Sequence, residues 1–210
     1  MAAERIGLLG GTFDPPHAGH VAAARSCLAA LRLDRLLLVV ANCPWQKVPD
    51  RSVTPAEDRF AMVAAAVEGI PRVEASRIEI DRGGPSYTVD TVEALVVGTG
   101  TGTAETGTAT ATAGPEVFLV VGADLVEGLR TWKRWQDLRR QVTLAVVTRP
   151  GTAASHDPEG WRVAHVEGPG IDVSSSGVRR LLRVGRPVEG LVPDAVVRCI
   201  RRRGLYAVRR

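Results

Sequence analysis

Four nearly unbroken apolar runs mark the chain: Arg5 to Gly11 (RIGLLGG), Arg35 to Ala41 (RLLLVVA), Glu116 to Gly122 (EVFLVVG) and Val142 to Thr148 (VTLAVVT). Short runs without polar alternation read as strands buried on both faces, as in parallel sheets. Val73 to Ile80 is read as a further strand. Between these runs lie stretches of helical composition, from Gly19 to about Leu31, Tyr87 to Val97 and Asp124 to Arg140. Thr54-Pro55-Ala56-Glu57 reads as a capping box, with threonine as N-cap, proline at the first helical position and glutamate at the third. It predicts a helix to about Glu68. A serine cluster at Ser174 introduces a helix carrying Val178, Leu181 and Leu182, and a last helix follows Pro193-Asp194. Strands alternating with helices predict a doubly wound, Rossmann-like α/β fold, a parallel sheet with helices on both faces.

Gly98 to Pro115 (GTGTGTAETGTATATAGP) breaks the pattern. It has too little apolar bulk to pack and is expected to be a flexible low-complexity insertion. The 210 residues suit one domain spanning 1–210, with a basic C-terminal helix and tail at 198–210. No apolar stretch reaches the ~18–20 residues of a membrane span, and no signal-peptide pattern opens the chain, so a soluble, cytoplasmic protein is expected. Cys27, Cys43 and Cys199 are odd in number and far apart, which excludes a disulfide framework. The net charge of +4 favours anionic partners. Of 27 basic residues only Lys47 and Lys133 are lysines, a mild pointer to roles that arginine does not fill.

The strongest chemical signal is Gly10-Gly-Thr-Phe-Asp-Pro-Pro-His-Ala-Gly-His20, between a buried strand and a helix. Ligands of open parallel sheets bind at the carboxyl ends of strands, beside helix N-termini. Gly10 and Gly11 let a phosphate approach the backbone. His17 and His20 share the first turn of the helix, where exposed amides and the dipole favour an anion. A metal reading finds only Asp14 nearby, short of the three protein ligands of a catalytic zinc site, so no metal site is assigned. A helix-capping role for the histidines stays open beside the phosphate reading. Ser174-Ser175-Ser176, with Arg179 and Arg180 one turn on, reads as a second phosphate clamp, although Ser174 alone would suit an ordinary N-cap. Asp14, beside prolines, is read as stabilising the turn.

The eleven-residue segment resembles the signature of the nucleotidyltransferase superfamily with an H-x-G-H motif, here His17-Ala-Gly-His20. In the form that includes Thr12-Phe13-Asp14-Pro15 it is close to that of the nicotinate-nucleotide adenylyltransferase family. Ser174-Ser-Ser-Gly-Val-Arg179 is similar to the family's second signature, Ser86-Tyr-Thr-Val-Asp-Thr91 to a third segment, and Gly122-Ala-Asp124 followed by Trp132 keeps the family's spacing. The resemblance implies adenylyl transfer from ATP to nicotinate mononucleotide, giving nicotinate adenine dinucleotide and pyrophosphate in NAD biosynthesis.

The resemblance also implies roles. His17, His20, Lys47 and Arg179 would be catalytic. Gly10, Gly11, Thr12, Phe13, His20, Gly122, Asp124, Ser174, Ser175, Ser176 and Arg179 would bind ATP, with Asp124 on ribose. Thr88 would lie by the pyridine carboxylate, Trp132 would stack on the ring, and Tyr87 would also bind the substrate. Lys47 sits in Pro44-Trp-Gln-Lys, where the family often carries Pro-Pro-His-Lys, so the two middle residues depart from the pattern. Mg²⁺ would bridge the phosphate oxygens. Sister enzymes acting on nicotinamide mononucleotide or phosphopantetheine share the first signature. A nucleotide-sensing or nucleic-acid-binding module is a further alternative, resting on the arginines of Arg198 to Arg210. No helix-turn-helix or zinc-finger pattern supports it, and aromatics are only 4%. The expected partners are small molecules, without nucleic acid or membrane, and a homo-oligomer stays open.

Overall fold

The structure is a computed structural model and describes residues 2–44, 53–100, 114–148, 156–168 and 170–206. Six strands form one sheet: β1 (Arg5–Gly11), β2 (Arg35–Val40), β3 (Val73–Ser76), β4 (Glu116–Gly122), β5 (Val142–Thr148) and β6 (Arg162–Glu167). Their order is β3-β2-β1-β4-β5-β6 and every pair is parallel. Seven α-helices accompany them: α1 (Ala18–Ala30), α2 (Ala56–Val67), α3 (Ile78–Arg82), α4 (Thr88–Gly100), α5 (Trp135–Gln141), α6 (Ser175–Arg183) and α7 (Asp194–Arg203). A 3₁₀ helix covers Ala123–Thr131. This is the expected doubly wound architecture.

Alternation along each strand sorts the core into two layers. Leu36, Leu38, Val40, Phe118, Val120 and Ala145 face α1, α2, α6 and α7. Their strand neighbours Leu37, Val39, Val117, Leu119, Val121 and Leu144 face α4, the 3₁₀ helix and α5. Burial on both faces explains why β1, β2, β4 and β5 are apolar without interruption. The strand order reverses between β1 and β4, so the loops leaving their carboxyl ends diverge and open a crevice there.

Several expectations change. The segment Val73 to Ile80 leaves the sheet after Ser76 and turns into α3. Its alternating pattern imitates a strand, but tertiary contact wins: the buried Glu79 takes a hydrogen bond from the Thr91 hydroxyl at 2.6 Å. The capping box at Thr54 does not form; Pro55, with extended backbone, is the N-cap of α2 and makes no side-chain cap. The stretch Asp124 to Arg140 splits into the 3₁₀ helix and α5, broken at Trp132 (ψ 145°) and at Arg134 (φ 49°). β6 was not foreseen, because a half-exposed edge strand lacks the apolar run that marks the inner ones. α4 runs on to Gly100, into the start of the expected insertion; positions 101–113 lie outside the described residues, as do 207–210 of the tail.

Arg59 of α2 is 1% exposed and ties three separate segments together. Its Nε donates to the Thr54 carbonyl at 2.7 Å, Nη1 to that of Thr12 at 3.0 Å and Nη2 to that of Asn42 at 3.0 Å. Burial pulls its pKa down from the ordinary range, opposed first by the Asp14 carboxylate. Arg59→Met should leave those carbonyls without their donor and lower the unfolding free energy by about 3 kcal/mol. In a chain of this size that is a fall in Tm of roughly 6–12 °C. Thermal denaturation checks it, and a Tm within about 2 °C of the parent would contradict the assignment.

Candidate active site

The crevice at the β1/β4 switch point is a cleft of about 510 Å³. Its walls come from the β1–α1 turn, the end of β4, the start of α4, the 3₁₀ helix and the start of α6. The turn after β1 is almost wholly withdrawn from water: Thr12, Phe13, Asp14 and His17 are all buried. Phe13 has φ 49° and the Asp14–Pro15 peptide is cis. This compact turn delivers His17 as the N-cap of α1, with His20 at the third helical position.

The two imidazoles stack, with ring centroids 3.6 Å apart and 23° between planes. The edge of Phe13 supports His20 at 4.9 Å. The His17 backbone N–H donates to His20 Nδ1 at 3.1 Å, so in the neutral ring the His20 proton sits on Nε2 and remains a donor. Burial pushes the His17 pKa down from 6.5 to about 4. Its Nδ1 is buried and has no hydrogen-bond partner among the described residues. A buried polar atom left unsatisfied costs ~1–3 kcal/mol. Gly19 packs closely here: a Cβ on it would come within 3.1 Å of His17 Nδ1 and 3.2 Å of Val173 Cγ1, so these side chains would have to give by a few tenths of an ångström.

The opposite wall is the N-terminus of α6. Ser174 is its N-cap, accepting from the Gly177 N–H at 3.1 Å, and its hydroxyl lies 3.1 Å from that of Ser176. Ser175 Oγ donates to the Pro15 carbonyl at 2.9 Å, and Arg179 Nη1 donates to the Asp14 carbonyl at 2.5 Å. The two segments singled out as phosphate clamps, 160 residues apart in sequence, therefore bind each other. Amides of two helix N-termini, the imidazoles and the buried Arg179 guanidinium converge on one cleft. Such a donor set suits phosphate oxygens.

The other end of the cleft is different in character. Thr88 begins α4, Trp132 ends the 3₁₀ helix, and Leu125 and Ser86 lie between. Trp132 is half-buried and packs on the second core layer while also lining the cleft, so it is both a packing residue and a flat wall. Tyr87 does not line the cleft; its ring sits under the Lys133 ammonium at 4.3 Å. Lys133 also pairs with Asp90 at 3.1 Å, holding α4 to the segment after Trp132. Asp124 is exposed on the rim. A Cβ at Gly122 would meet the Asp124 carboxylate, the movable end of an exposed side chain.

Thus Gly10, Gly11, Thr12, Phe13, His17, His20, Thr88, Asp124, Trp132, Ser174, Ser175, Ser176 and Arg179 share one cleft. Gly122 stands just behind it, and Lys47, with Trp45 and Gln46, falls outside the described residues. Two groups went unrecognised in the sequence. Glu79 lines the cleft and is fixed by Thr91, whose hydroxyl also accepts from Arg82 at 3.1 Å. Tyr206 reaches the Asp14 carboxylate from beyond α7, with its hydroxyl 2.6 Å from Oδ1. Only the buried glutamate in a polar-apolar alternation hinted at the first, and nothing local to residue 206 signals the second.

Comparison with known proteins agrees with this geometry. Residues 8–181 match the model of the family described as cytidylyltransferase-like. A protein of Corynebacterium kroppenstedtii named "Probable nicotinate-nucleotide adenylyltransferase" is 40% identical over 205 residues, 96% of this chain and 90% of its own. A Thermus thermophilus protein of the same name is 41% identical over 202 residues, covering 96% and 99%. The fold matches that of Plasmodium falciparum nicotinic acid mononucleotide adenylyltransferase complexed with NaAD, with a TM-score of 0.72 at 16% identity over 97% of both chains. Full-length relatedness, the H-x-G-H turn and the α6 clamp together establish that this chain belongs to the nicotinate-nucleotide adenylyltransferase family of cytidylyltransferase-like proteins.

Proposed function

We propose that the protein joins nicotinate mononucleotide to the adenylyl group of ATP, releasing pyrophosphate, as a cytoplasmic step of NAD synthesis. The observation that carries this reading is the junction of the His17–His20 turn with the Ser174–Arg179 helix start in one cleft, continuous with a Trp132- and Thr88-lined end. One end suits a polyphosphate and the other a flat ring. Among the described residues no helix is long and apolar enough to cross a membrane.

A 5′-phosphate oxygen of the mononucleotide attacks the α-phosphorus of ATP. The new P–O bond forms as the bond to the β-phosphate oxygen breaks, and pyrophosphate leaves. The nucleophile is already an anion at neutral pH, so positioning and charge stabilisation are the tasks left to the protein. His20 Nε2–H is the donor for charge developing on the α- and β-phosphates. Neutral His17 stacks behind it and presents the second imidazole. Arg179, Ser174, Ser176 and the α6 amides hold the β- and γ-phosphates, and Lys47 would add a point charge. Asp124 accepts from ribose hydroxyls, and Trp132, with Thr88 nearby, receives the pyridine ring.

Mg²⁺ would accompany the nucleotide and, when bound, would offset the negative charge of the phosphates. Asp124 and Glu79, which line the cleft, are the carboxylates that would hold it or its waters. Sister acceptors such as nicotinamide mononucleotide or phosphopantetheine would leave the phosphate end unchanged and alter only the ring end.

Pyrophosphate release should be fastest with Mg²⁺-ATP and nicotinate mononucleotide, slower with the nicotinamide analogue and slowest with phosphopantetheine. His20→Ala should lower kcat by ~10²–10³-fold. Preference for another acceptor would overturn the substrate, and near-normal turnover by His20→Ala would overturn the mechanism.

The His17 pKa gives a second prediction. Between about pH 4 and 6.5 the unfolded chain binds the proton that the folded chain refuses, so this residue's stabilisation is complete above pH 6.5 and lost towards pH 4. The stability advantage of the parent over His17→Asn should therefore shrink by about 3 kcal/mol between pH 7 and pH 4. Urea denaturation at the two pH values checks it, and a constant difference would contradict it.

A further inference from the structure

Tyr206 lies beyond α7, far in sequence from every residue given a role above, yet it touches the centre of the site. Gly204 ends α7 in the left-handed conformation, and the chain turns back as Leu205 N–H bonds to the Ile200 carbonyl at 3.1 Å. Tyr206 itself has φ 62°, a conformation that a bulky residue adopts only where its surroundings enforce it. That turn drives the phenol between α2 and the β1–α1 turn, against Met62, where it donates to the Asp14 carboxylate.

Asp14 is 2% exposed and belongs to the turn that carries both histidines. The Arg59 guanidinium of α2 and the Tyr206 hydroxyl of the C-terminal segment face its carboxylate, while Arg179 of α6 bonds to its backbone carbonyl and lies near the phenol. Burial and the neighbouring carboxylate push the Tyr206 pKa upward, so the phenol keeps its proton and stays a donor. The same turn offers backbone carbonyls to Arg59 through Thr12, to Arg179 through Asp14 and to Ser175 through Pro15. Those three bonds fix its backbone. Tyr206 supplies a bond to its charged side chain, from a segment that takes no part in the cleft.

We infer that Tyr206 is a positioning residue for adenylyl transfer: its bond to Asp14 sets the turn that aims His17 and His20, so the end of the chain is coupled to catalysis. The inference deepens the proposed function and rests on it. Loss of the hydroxyl removes this bond from the Asp14 carboxylate, and the turn shifts relative to α6. Misplacement on the order of 1 Å at such a site costs up to ~10²-fold in rate.

Tyr206→Phe keeps the ring packing and removes the hydroxyl, which donates to Asp14 and is also hydrogen-bonded with Thr54. Steady-state kinetics at 25 °C, well below the melting transition, should show kcat lowered roughly tenfold, with Tm only a few degrees lower, as one lost bond to a charged group allows. Asp14→Asn and the double variant complete a mutant cycle. Removing the hydroxyl in the Asp14→Asn background should cost much less than in the parent. Amide hydrogen exchange over Thr12–His20 should accelerate in Tyr206→Phe. Unchanged kcat, or full additivity in the cycle, would overturn the inference. If the parent transfers adenylate to no acceptor, the proposed function fails, while exchange still decides the coupling: acceleration supports it and unchanged protection overturns it.

Discussion

The clasp between the Asp14-Pro15 turn and the first turn of α6 is the contact on which the site depends. Ser175 and Arg179 each donate to a backbone carbonyl of that turn, at 2.9 and 2.5 Å. Neither segment makes a phosphate site alone. The turn after β1 offers two imidazoles but no cationic side chain, and α6 offers an arginine and amides but no imidazole. Joined, they present donors from two sides of one crevice. The sheet makes the joining possible, because reversal of strand order between β1 and β4 leaves room there.

Burial decides how these groups behave. His17 is held neutral by its surroundings, so it can stack on His20 without charge repulsion. Arg59 and Arg179 are withdrawn from water, and buried guanidinium groups are costly unless hydrogen-bonded. Both are answered by backbone carbonyls of the β1–α1 turn. The cost of burying a cation and the cost of burying a carbonyl offset each other at the point where the chain must be rigid. Arg59 is thus a structural tie, whereas Arg179 closes the clasp and also lines the cleft, where the proposed function gives it the substrate phosphates.

Much of this was legible in the sequence, for physical reasons. Strands buried on both faces show as apolar runs, so β1, β2, β4 and β5 could be read at nearly their observed bounds. The Gly10–His20 and Ser174–Arg179 segments, which meet at one cleft, stood out because glycines, hydroxyls and basic groups gather at two helix starts, the pattern that a phosphate site would need. The edge of the sheet was less legible. β6 is half-exposed and β3 stops where Glu79 turns inward, since tertiary contacts outweigh local pattern at an edge. Long-range side-chain partners were hidden altogether. Nothing near Tyr206 signals Asp14, 192 residues away, and nothing near Arg59 names its three carbonyls. The reading of Tyr87 as a direct contact also changes in emphasis, because its ring serves the Lys133 junction.

The most direct measurement of the central claim is a crystal structure with a non-hydrolysable ATP analogue. The triphosphate should be seated between the His17–His20 turn and the α6 N-terminus, with His20 Nε2 and Arg179 both within hydrogen-bond distance of phosphate oxygens. A triphosphate touching only one of these segments, or lying outside the cleft, would contradict that claim.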